Sequence, residues 1–183
     1  MLAGLSVVAV LGVMLAAPVG ADQTDPRLDG LFDELAEAET HAEGERLAER
    51  IWSIWYEHDD DAVEAAMTRG QKAMANRELG AALAAFDQAA RLDPEYAEAW
   101  NKRATIHFMM GNYDKSLSDI ERVLELEPRH FGALSGRGLC HMKLGNPRAA
   151  LDAMQESLAI HPRQPGTRAR ARQLRERLDE RDI

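Results

Sequence analysis

Three prolines, Pro94, Pro128 and Pro162, stand 34 residues apart, and this spacing constrains the fold more than any other feature of the sequence. Each proline closes a mainly apolar run. Because proline cannot continue a helix and disfavours helical geometry in the residue before it, each one marks the end of a helix. A fixed period of this length predicts an array of helical repeats, in which each unit buries its apolar face against its neighbours.

Other residues recur with the same period. Counted from Ala97, the central unit has small residues at positions 8 and 20 and a bulky apolar residue at position 24. Small residues allow two antiparallel helices to approach closely, and the bulky residue fills the space beside their contact. Two Gly-Asn pairs, at 111–112 and 145–146, lie midway through their units, where a helix must end and the chain must reverse. The recurring sets are Gly70, Ala104 and Gly138; Ala82, Ser116 and Ala150; and Phe86, Ile120 and Met154.

This pattern resembles the tetratricopeptide repeat, a helix-turn-helix unit of 34 residues. The resemblance covers three units, residues 63–96, 97–130 and 131–164, and is carried in the central unit by Trp100, Ala104, Gly111, Tyr113, Ser116 and Pro128. It implies an all-α fold, a right-handed α-solenoid closed by a C-terminal solvating helix at residues 165–183. Two departures are local: Gly80 falls late in the turn of the first unit, and Pro147 replaces an aromatic residue.

The N-terminus is predicted to be a targeting segment. Residues 2–19 carry no charge, and Val19-Gly20-Ala21 offers small residues where a signal peptidase reads, so we expect a secretory signal, residues 1–21, cleaved after Ala21. The segment lacks a Lys or Arg ahead of its apolar run and is nearly long enough to span a bilayer, so a retained membrane anchor is the alternative. A buried helix is the third interpretation.

Residues 22–62 are predicted to form an acidic helical cap, a degenerate first repeat. In the repeat register Leu35, Ala36, Ala48 and Trp52 fall at positions 7, 8, 20 and 24. The fit fails at position 27, where Trp55 replaces a small residue. The following His58-Asp59-Asp60-Asp61 suggests a metal site, but adjacent residues in a loop rarely converge on one ion, so we interpret it as a solvated turn that caps the next helix.

Charge is distributed unevenly along the chain. Residues 22–64 contain 15 acidic and three basic residues, whereas the whole chain has a net charge of −9. Seven arginines lie between Arg163 and Arg181; we interpret them as the solvated faces of the last helix, with contact to anionic lipid or an acidic partner as the alternative. An acidic protein without basic patches interleaved with aromatic residues is a poor binder of nucleic acid.

Three positions on the first helix of each unit, 5, 9 and 12, are predicted to line a concave groove that binds a peptide or protein segment. The alternative, weighed equally, is that these side chains pack between successive first helices. The predicted groove residues are Met67, Gln71, Met74, Asn101, Thr105, Phe108, Met109, Ser135, Leu139 and Met142.

Cations beside this groove are possible contacts for a carboxylate-bearing ligand. They are Arg69, Arg103 and Arg137, at position 7 of each unit, together with Lys102. We favour structural pairing for the arginine column, although only Arg103 has an obvious internal partner, Asp119. The clamp of Lys and Asn residues by which some repeat proteins bind chaperone tails is absent, since its positions hold Met67, Gln71, Lys102, Gly132 and Gly136.

No motif of catalysis, metal or cofactor binding was found. The single cysteine, Cys140, is flanked by apolar residues and is read as a small buried residue, with pairing to another chain as the alternative. His107 and His141 share position 11, but equivalent helices lie at least about 8–10 Å apart, too far for one zinc ion. We therefore expect a non-enzymatic protein without cofactor or metal.

The sequence favours a periplasmic adaptor of a Gram-negative bacterium that holds a protein or peptide partner in its groove. One rival is an assembly factor anchored in the inner membrane and facing the periplasm, which requires that residues 2–19 be retained. The other is a scaffold that associates with itself.

Overall fold

The computed structural model describes residues 22–180, which contain nine α-helices and no strand. This confirms the predicted all-α helical repeat fold. The segment interpreted as a signal or anchor lies outside the described residues, and none of the described helices is long and apolar enough to cross a membrane. The helices are α1 (Arg27–Glu37), α2 (His41–Tyr56), α3 (Asp61–Ala75), α4 (Leu79–Leu92), α5 (Ala97–Met109), α6 (Tyr113–Leu126), α7 (Phe131–Lys143), α8 (Pro147–Ile160) and α9 (Pro165–Asp179).

Helices α3 to α8 form three helical hairpins, α3–α4, α5–α6 and α7–α8, which stack in chain order. Small residues at position 8 are needed because the second helix of the same hairpin lies against them. A Cβ atom at Gly70 would lie 2.5 Å from Phe86 Cε1, and one at Gly138 would lie 2.8 Å from Met154 Cγ. The last helix, α9, packs against α8 and buries its apolar edge.

The turn inside each hairpin places one residue in the left-handed backbone region. Gly111 has φ 78° and Gly145 has φ 77°, whereas the equivalent residue of the first hairpin is Arg77, with φ 63°. A side chain on the Cβ atom makes this conformation unfavourable for any residue but glycine. Gly80 comes three residues too late to relieve the strain, because it already lies inside α4.

Asp60 begins the repeat array by capping α3. Its Oδ1 accepts hydrogen bonds from the amides of Ala62 and Val63, at 2.7 and 3.2 Å. His58, two residues earlier, contacts Asp93 at 3.0 Å. The acidic run therefore serves as a helix cap and turn, and no group of metal ligands is found in the described part of the chain.

The placement of the N-terminal helices differs from the predicted cap. Helices α1 and α2 pair with each other, and their further contacts are with α5 and α8 rather than a stack on α3. We call α1 and α2 together the strap, because they run along the turns that join one repeat to the next. These inter-repeat turns comprise residues 93–96, 127–130 and 161–164.

Helix α1 follows the inter-repeat turns in chain order. Asp29 pairs with Arg129 of the middle turn at 2.7 Å, and the guanidinium of Arg129 lies 4.3 Å from the centre of the Phe32 ring. Beyond the end of α1, the carbonyl of Ala38 accepts a hydrogen bond from Arg163 Nε of the third turn at 2.7 Å. Helix α1 and the residue that follows it therefore contact the second and the third inter-repeat turns.

Helix α2 returns along the same turns in the opposite direction. The Trp55 ring stacks on His130 of the middle turn, with centroids 4.2 Å apart and planes 6° from parallel. Trp52 lies edge-on to Phe131, and a Cβ atom at Gly132 would lie 2.8 Å from the Trp52 ring. Trp55 replaces the small residue of position 27, and its ring packs against the middle inter-repeat turn.

The first inter-repeat turn is held by both ends of the strap. The hydroxyl of Tyr96 donates to the carbonyl of Trp55 at 3.0 Å. Gln23, just before α1, donates from Nε2 to the carbonyl of Glu95 at 2.6 Å and accepts from the amide of Ala97 at 3.2 Å. All three inter-repeat turns are thus fixed to one helical hairpin.

The third inter-repeat turn contains a histidine buried under the strap. His161 is 5% exposed, its ring lies beside Phe131, and its Nδ1 has no hydrogen-bond partner among the described residues. Burial lowers the pKa of His161 to about 4, and nearby His41 acts in the same direction. The folded protein therefore holds His161 neutral where the unfolded chain would protonate it.

We predict that Arg77→Gly stabilises the protein, because it removes a side chain from a left-handed position. The free energy of unfolding should rise by about 1 kcal/mol in urea denaturation. The matched control is Gly111→Ala, which introduces the same strain one repeat later and should lower the free energy of unfolding. An Arg77→Gly variant no more stable than the wild type would contradict the proposed strain.

We also predict that His161→Gln weakens the acid sensitivity of the fold. Between pH 6.5 and about 4 the unfolded chain binds a proton at His161 that the folded chain does not, so stability is complete above pH 6.5 and falls toward pH 4. The glutamine variant lacks this contribution. Its midpoint of urea unfolding should therefore drop less between pH 7.5 and pH 4.5 than that of the wild type, and equal drops would refute the assignment.

Candidate binding groove

The first helices of the three repeat hairpins, α3, α5 and α7, carry all the predicted groove residues, but the residues differ in exposure. Gln71, Thr105 and Met109 are exposed. Met67 and Asn101 are buried, at 5% and 8% exposure. The remaining five residues are partly buried: Met74, Phe108, Ser135, Leu139 and Met142.

Half of the predicted residues meet at one pocket between α5 and α7. The pocket has a volume of about 220 Å³, and Asn101, Thr105, Phe108, Ser135 and Leu139 line it. The other residues of its wall are Ala104, Ser116, Ile120, Gly132, Ala133 and Gly136.

Two glycines of α7, Gly132 and Gly136, lie in the pocket wall, and Gly136 leaves room for the pocket. A Cβ atom at Gly136 would meet only Ile120 Cδ1, at 3.4 Å, so the backbone there borders free space. The pocket therefore reaches inward to Ile120 of α6. Its walls are mainly apolar, and Asn101, Thr105 and Ser135 supply polar atoms, which is the usual composition of a binding pocket.

Met74, Phe108 and Met142, which share position 12 of the three units, pack in three separate places. Each side chain packs against the core of its own region, and the three belong to different apolar clusters. The Phe108 ring, for example, lies 5.4 Å from that of Tyr113 in the same hairpin. Of the three, only Phe108 contributes to the α5–α7 pocket.

The position-7 arginines already have partners inside the chain. Arg103 donates to both carboxylate oxygens of Asp119, at 2.9 and 2.6 Å, and to Asp87 at 2.8 Å. Arg137 donates to Glu156 at 2.5 Å.

The first arginine of this column, Arg69, donates to Gln88 Oε1 at 3.2 Å. Each first helix is thus tied to the second helix of its own hairpin. Pairing within the chain, the interpretation favoured for this arginine column, is therefore what the structure shows. It occurs in all three units rather than in the central unit alone.

A buried polar cluster lies where the strap meets α5. Glu98 is 1% exposed; it accepts a hydrogen bond from Asn101 Nδ2 at 2.9 Å and contacts His130 Nε2 at 3.2 Å. Lys102 lies 3.2 Å from the same carboxylate and also donates to the hydroxyl of Tyr56 in α2. The fourth predicted carboxylate contact, Lys102, is therefore also engaged within the chain.

The charges in this cluster compensate one another. Burial opposes ionisation of Glu98, but His130, Lys102 and Asn101 outweigh it, so the pKa of Glu98 lies below its ordinary value. Burial likewise opposes the charge on Lys102, and Glu98 reverses the effect and raises the pKa of Lys102. An ion pair is thus retained inside the junction between strap and groove.

Sequence reasoning missed Glu98, because a glutamate in the first turn of a helix is ordinarily a solvated residue that complements the helix dipole. Glu98 is buried because His130, 32 residues later in the chain, and the strap pack against it. No local signal in the sequence reports such contacts.

The strap also forms one border of the groove. Trp52 lies over Gly132, one of the two glycines of the pocket, and the ammonium of Lys102 lies 5.7 Å from the centre of a Trp52 ring. Tyr56 is stacked beside Trp52 and remains 38% exposed. Trp52 therefore lies against the Gly132 part of the pocket wall.

Cys140 is fully buried beneath the groove. Its thiol donates to Ser116 Oγ at 3.3 Å, and burial raises its pKa, so the reactive thiolate form is disfavoured.

Comparison with known proteins places the repeat units in a family. The family model for the tetratricopeptide repeat (TPR) matches residues 97–130. A TPR repeat-containing protein of Rhizobium etli is 40% identical over 97 residues, which make up 53% of this chain and 48% of that protein. The chain therefore spans about half the length of this curated relative.

Solved structures share the fold at low sequence identity. The first TPR of Spaghetti (RPAP3), bound to the HSP90 peptide SRMEEVD, has a TM-score of 0.64 at 18% identity and covers 66% of this chain and 96% of that one. The Sgt2 TPR domain of Aspergillus fumigatus has a TM-score of 0.63 at 18% identity, covering 67% of this chain and 83% of that one.

A third match is the TPR2B domain of yeast Sti1 in complex with an Hsp70 peptide, with a TM-score of 0.60 at 13% identity, covering 64% of this chain and 99% of that one. These likenesses define the fold of the repeats. The matching family model and the bacterial relative show that the chain contains tetratricopeptide repeat sequence.

Proposed function

We propose that this protein is a non-enzymatic adaptor that binds a peptide or protein segment in the groove along α3, α5 and α7. The α5–α7 pocket carries the proposal, because it is an open, mainly apolar site with polar groups in its wall, and the fold already supplies it. Two of the structurally similar TPR domains are described in complex with chaperone peptides.

The recognition chemistry proposed here differs from capture of a carboxylate. Arg69, Lys102, Arg103 and Arg137 are all engaged by groups of the chain itself. The pocket instead suits an apolar side chain of the partner, and the hydroxyl oxygen of exposed Thr105, which donates to the carbonyl of Asn101 at 3.0 Å, can still accept a hydrogen bond from the partner's backbone. A fixed groove of this kind avoids the entropic cost of ordering a loop on binding.

We further propose that the protein acts in the periplasm of a Gram-negative bacterium, with residues 1–21 serving as a cleaved signal. The charge-free run of residues 2–19 and the small residues before Asp22 support this proposal. An inner-membrane assembly factor with a retained anchor is the alternative. Mass spectrometry of the protein from its cells separates them, since a mature N-terminus at Asp22 excludes the anchor.

The partner can be captured from the groove itself. A photo-crosslinking residue at exposed Thr105 should trap the partner in intact cells, and the same residue at exposed Lys115, on α6, serves as the control. A product formed at Thr105 and not at Lys115 is expected. Equal labelling of both positions would contradict groove binding.

We predict that Gly136→Leu weakens partner binding without unfolding the protein. The added side chain fills the pocket, whereas its Cβ has room and leucine favours the helix. Loss of one buried apolar anchor, worth about 1.5–3 kcal/mol, should weaken the affinity for the captured partner by at least about tenfold.

The matched control for this variant is Gly80→Leu, which adds the same side chain to α4 at a site with no atom within 4 Å of the new Cβ. It should bind as the wild type does. Titration of the purified partner segment by calorimetry measures both variants. Wild-type affinity in Gly136→Leu would remove the pocket from the proposed function.

A further inference from the structure

Two surfaces of opposite charge face solvent at different places on this chain. The outer face of the strap carries exposed carboxylates, namely Asp33, Glu34, Glu37, Glu39, Glu45 and Glu49. The last helix, α9, carries exposed guanidinium groups, namely Arg168, Arg170, Arg172, Arg175 and Arg177. The described part of the chain therefore carries an acidic hairpin, α1–α2, and a basic last helix, α9.

Neither surface is neutralised by the other within the described residues. The ion pairs that these groups do make are local and long: Glu34 to Arg50 at 3.7 Å, His41 to Glu45 at 3.4 Å and Arg172 to Glu176 at 3.9 Å. In residues 22–180 no ion pair joins α9 to α1 or α2. Arg46 and Arg50 are exposed on the strap and acidic residues on α9, so each surface carries an excess of one sign, and within residues 22–180 the other surface does not compensate this excess.

We propose that this protein associates with itself head to tail, the arginine face of α9 in one copy docking on the acidic face of the strap in the next. Complementary charge steers such encounters and fixes their orientation. Because the two surfaces differ, one such contact is heterologous: its repetition gives a ring or an open chain, whereas two copies that exchange both surfaces close as a symmetric dimer.

A second copy suits α9 better than an anionic membrane or a nucleic acid. Glu176, Asp179 and Glu180 interrupt the arginine face, and the start of α2 lies close to the start of α9, since His41 contacts the carbonyl of Arg163 at 3.0 Å. The carboxylates of α9 and those of the nearby strap would both repel a uniformly anionic surface. A second copy instead offers separate carboxylates on two adjacent helices, α1 and α2. Every copy carries both surfaces, so the two are present at equal concentration.

The expected association is weak and sensitive to salt, because exposed ion pairs are screened. The Debye length falls from about 30 Å at 0.01 M salt to about 3 Å at 1 M. Sedimentation velocity of the full chain should therefore show a mass at least about twice the monomer at low salt and the monomer at high salt. Association through the apolar N-terminal segment would persist at high salt, so the two causes are distinguishable.

Charge reversal tests which surfaces meet. Asp33→Arg with Glu37→Arg, on the strap, and Arg172→Glu with Arg175→Glu, on α9, should each abolish the low-salt association. A mixture of the two variants should restore it, because each reversed surface then finds a complementary one. Lys72→Glu with Lys115→Glu, on α3 and α6, makes the same change of charge as the α9 variant at exposed sites outside both surfaces and should associate as the wild type does.

The proposal is overturned by a wild-type protein that stays monomeric at low salt, or by reversals that leave the association intact. It is also overturned if the α9 reversal removes binding to vesicles of anionic phospholipid while self-association is absent. Because binding of a captured partner to the groove is measured separately with Gly136→Leu, a failure here leaves the groove proposal standing.

Discussion

The buried contact of Trp55 and Glu98 with His130 holds this structure in one arrangement. His130 lies in the inter-repeat turn between α6 and α7, Trp55 covers its ring from the strap, and Glu98 of α5 contacts its Nε2 atom. A buried carboxylate is tolerated only with its partners in place, and removing one partner of such a pair costs about 3–5 kcal/mol. The strap and two successive repeats are therefore coupled at a single point.

This coupling has a consequence for the groove. In a simple array each repeat contacts only its neighbours, so the curvature follows from many small nearest-neighbour contacts. Here one hairpin touches all three inter-repeat turns, through Tyr96, His130 and Arg163. The spacing of α5 and α7 is thereby fixed from outside, and the pocket beside Gly136 is held ready for a ligand.

The local parts of this fold could be predicted from the sequence, and the non-local parts could not. The period of Pro94, Pro128 and Pro162 located the three hairpins, and position rules identified five residues of the pocket. Periodicity reports which face of a helix is apolar, but not which distant surface covers it. The docking of Trp55 on a residue 75 positions later left only one trace, a tryptophan where the repeat requires a small residue.

Hydrogen exchange in a Trp55→Ala variant tests most directly whether the strap holds the repeats together. Loss of the indole should release the strap and speed amide exchange in residues 93–98, 127–132 and 161–165 together, while amides in the middle of α4 keep their wild-type rates. Faster exchange confined to α1 and α2, with all three turns unchanged, would show that the repeats hold their arrangement without the strap.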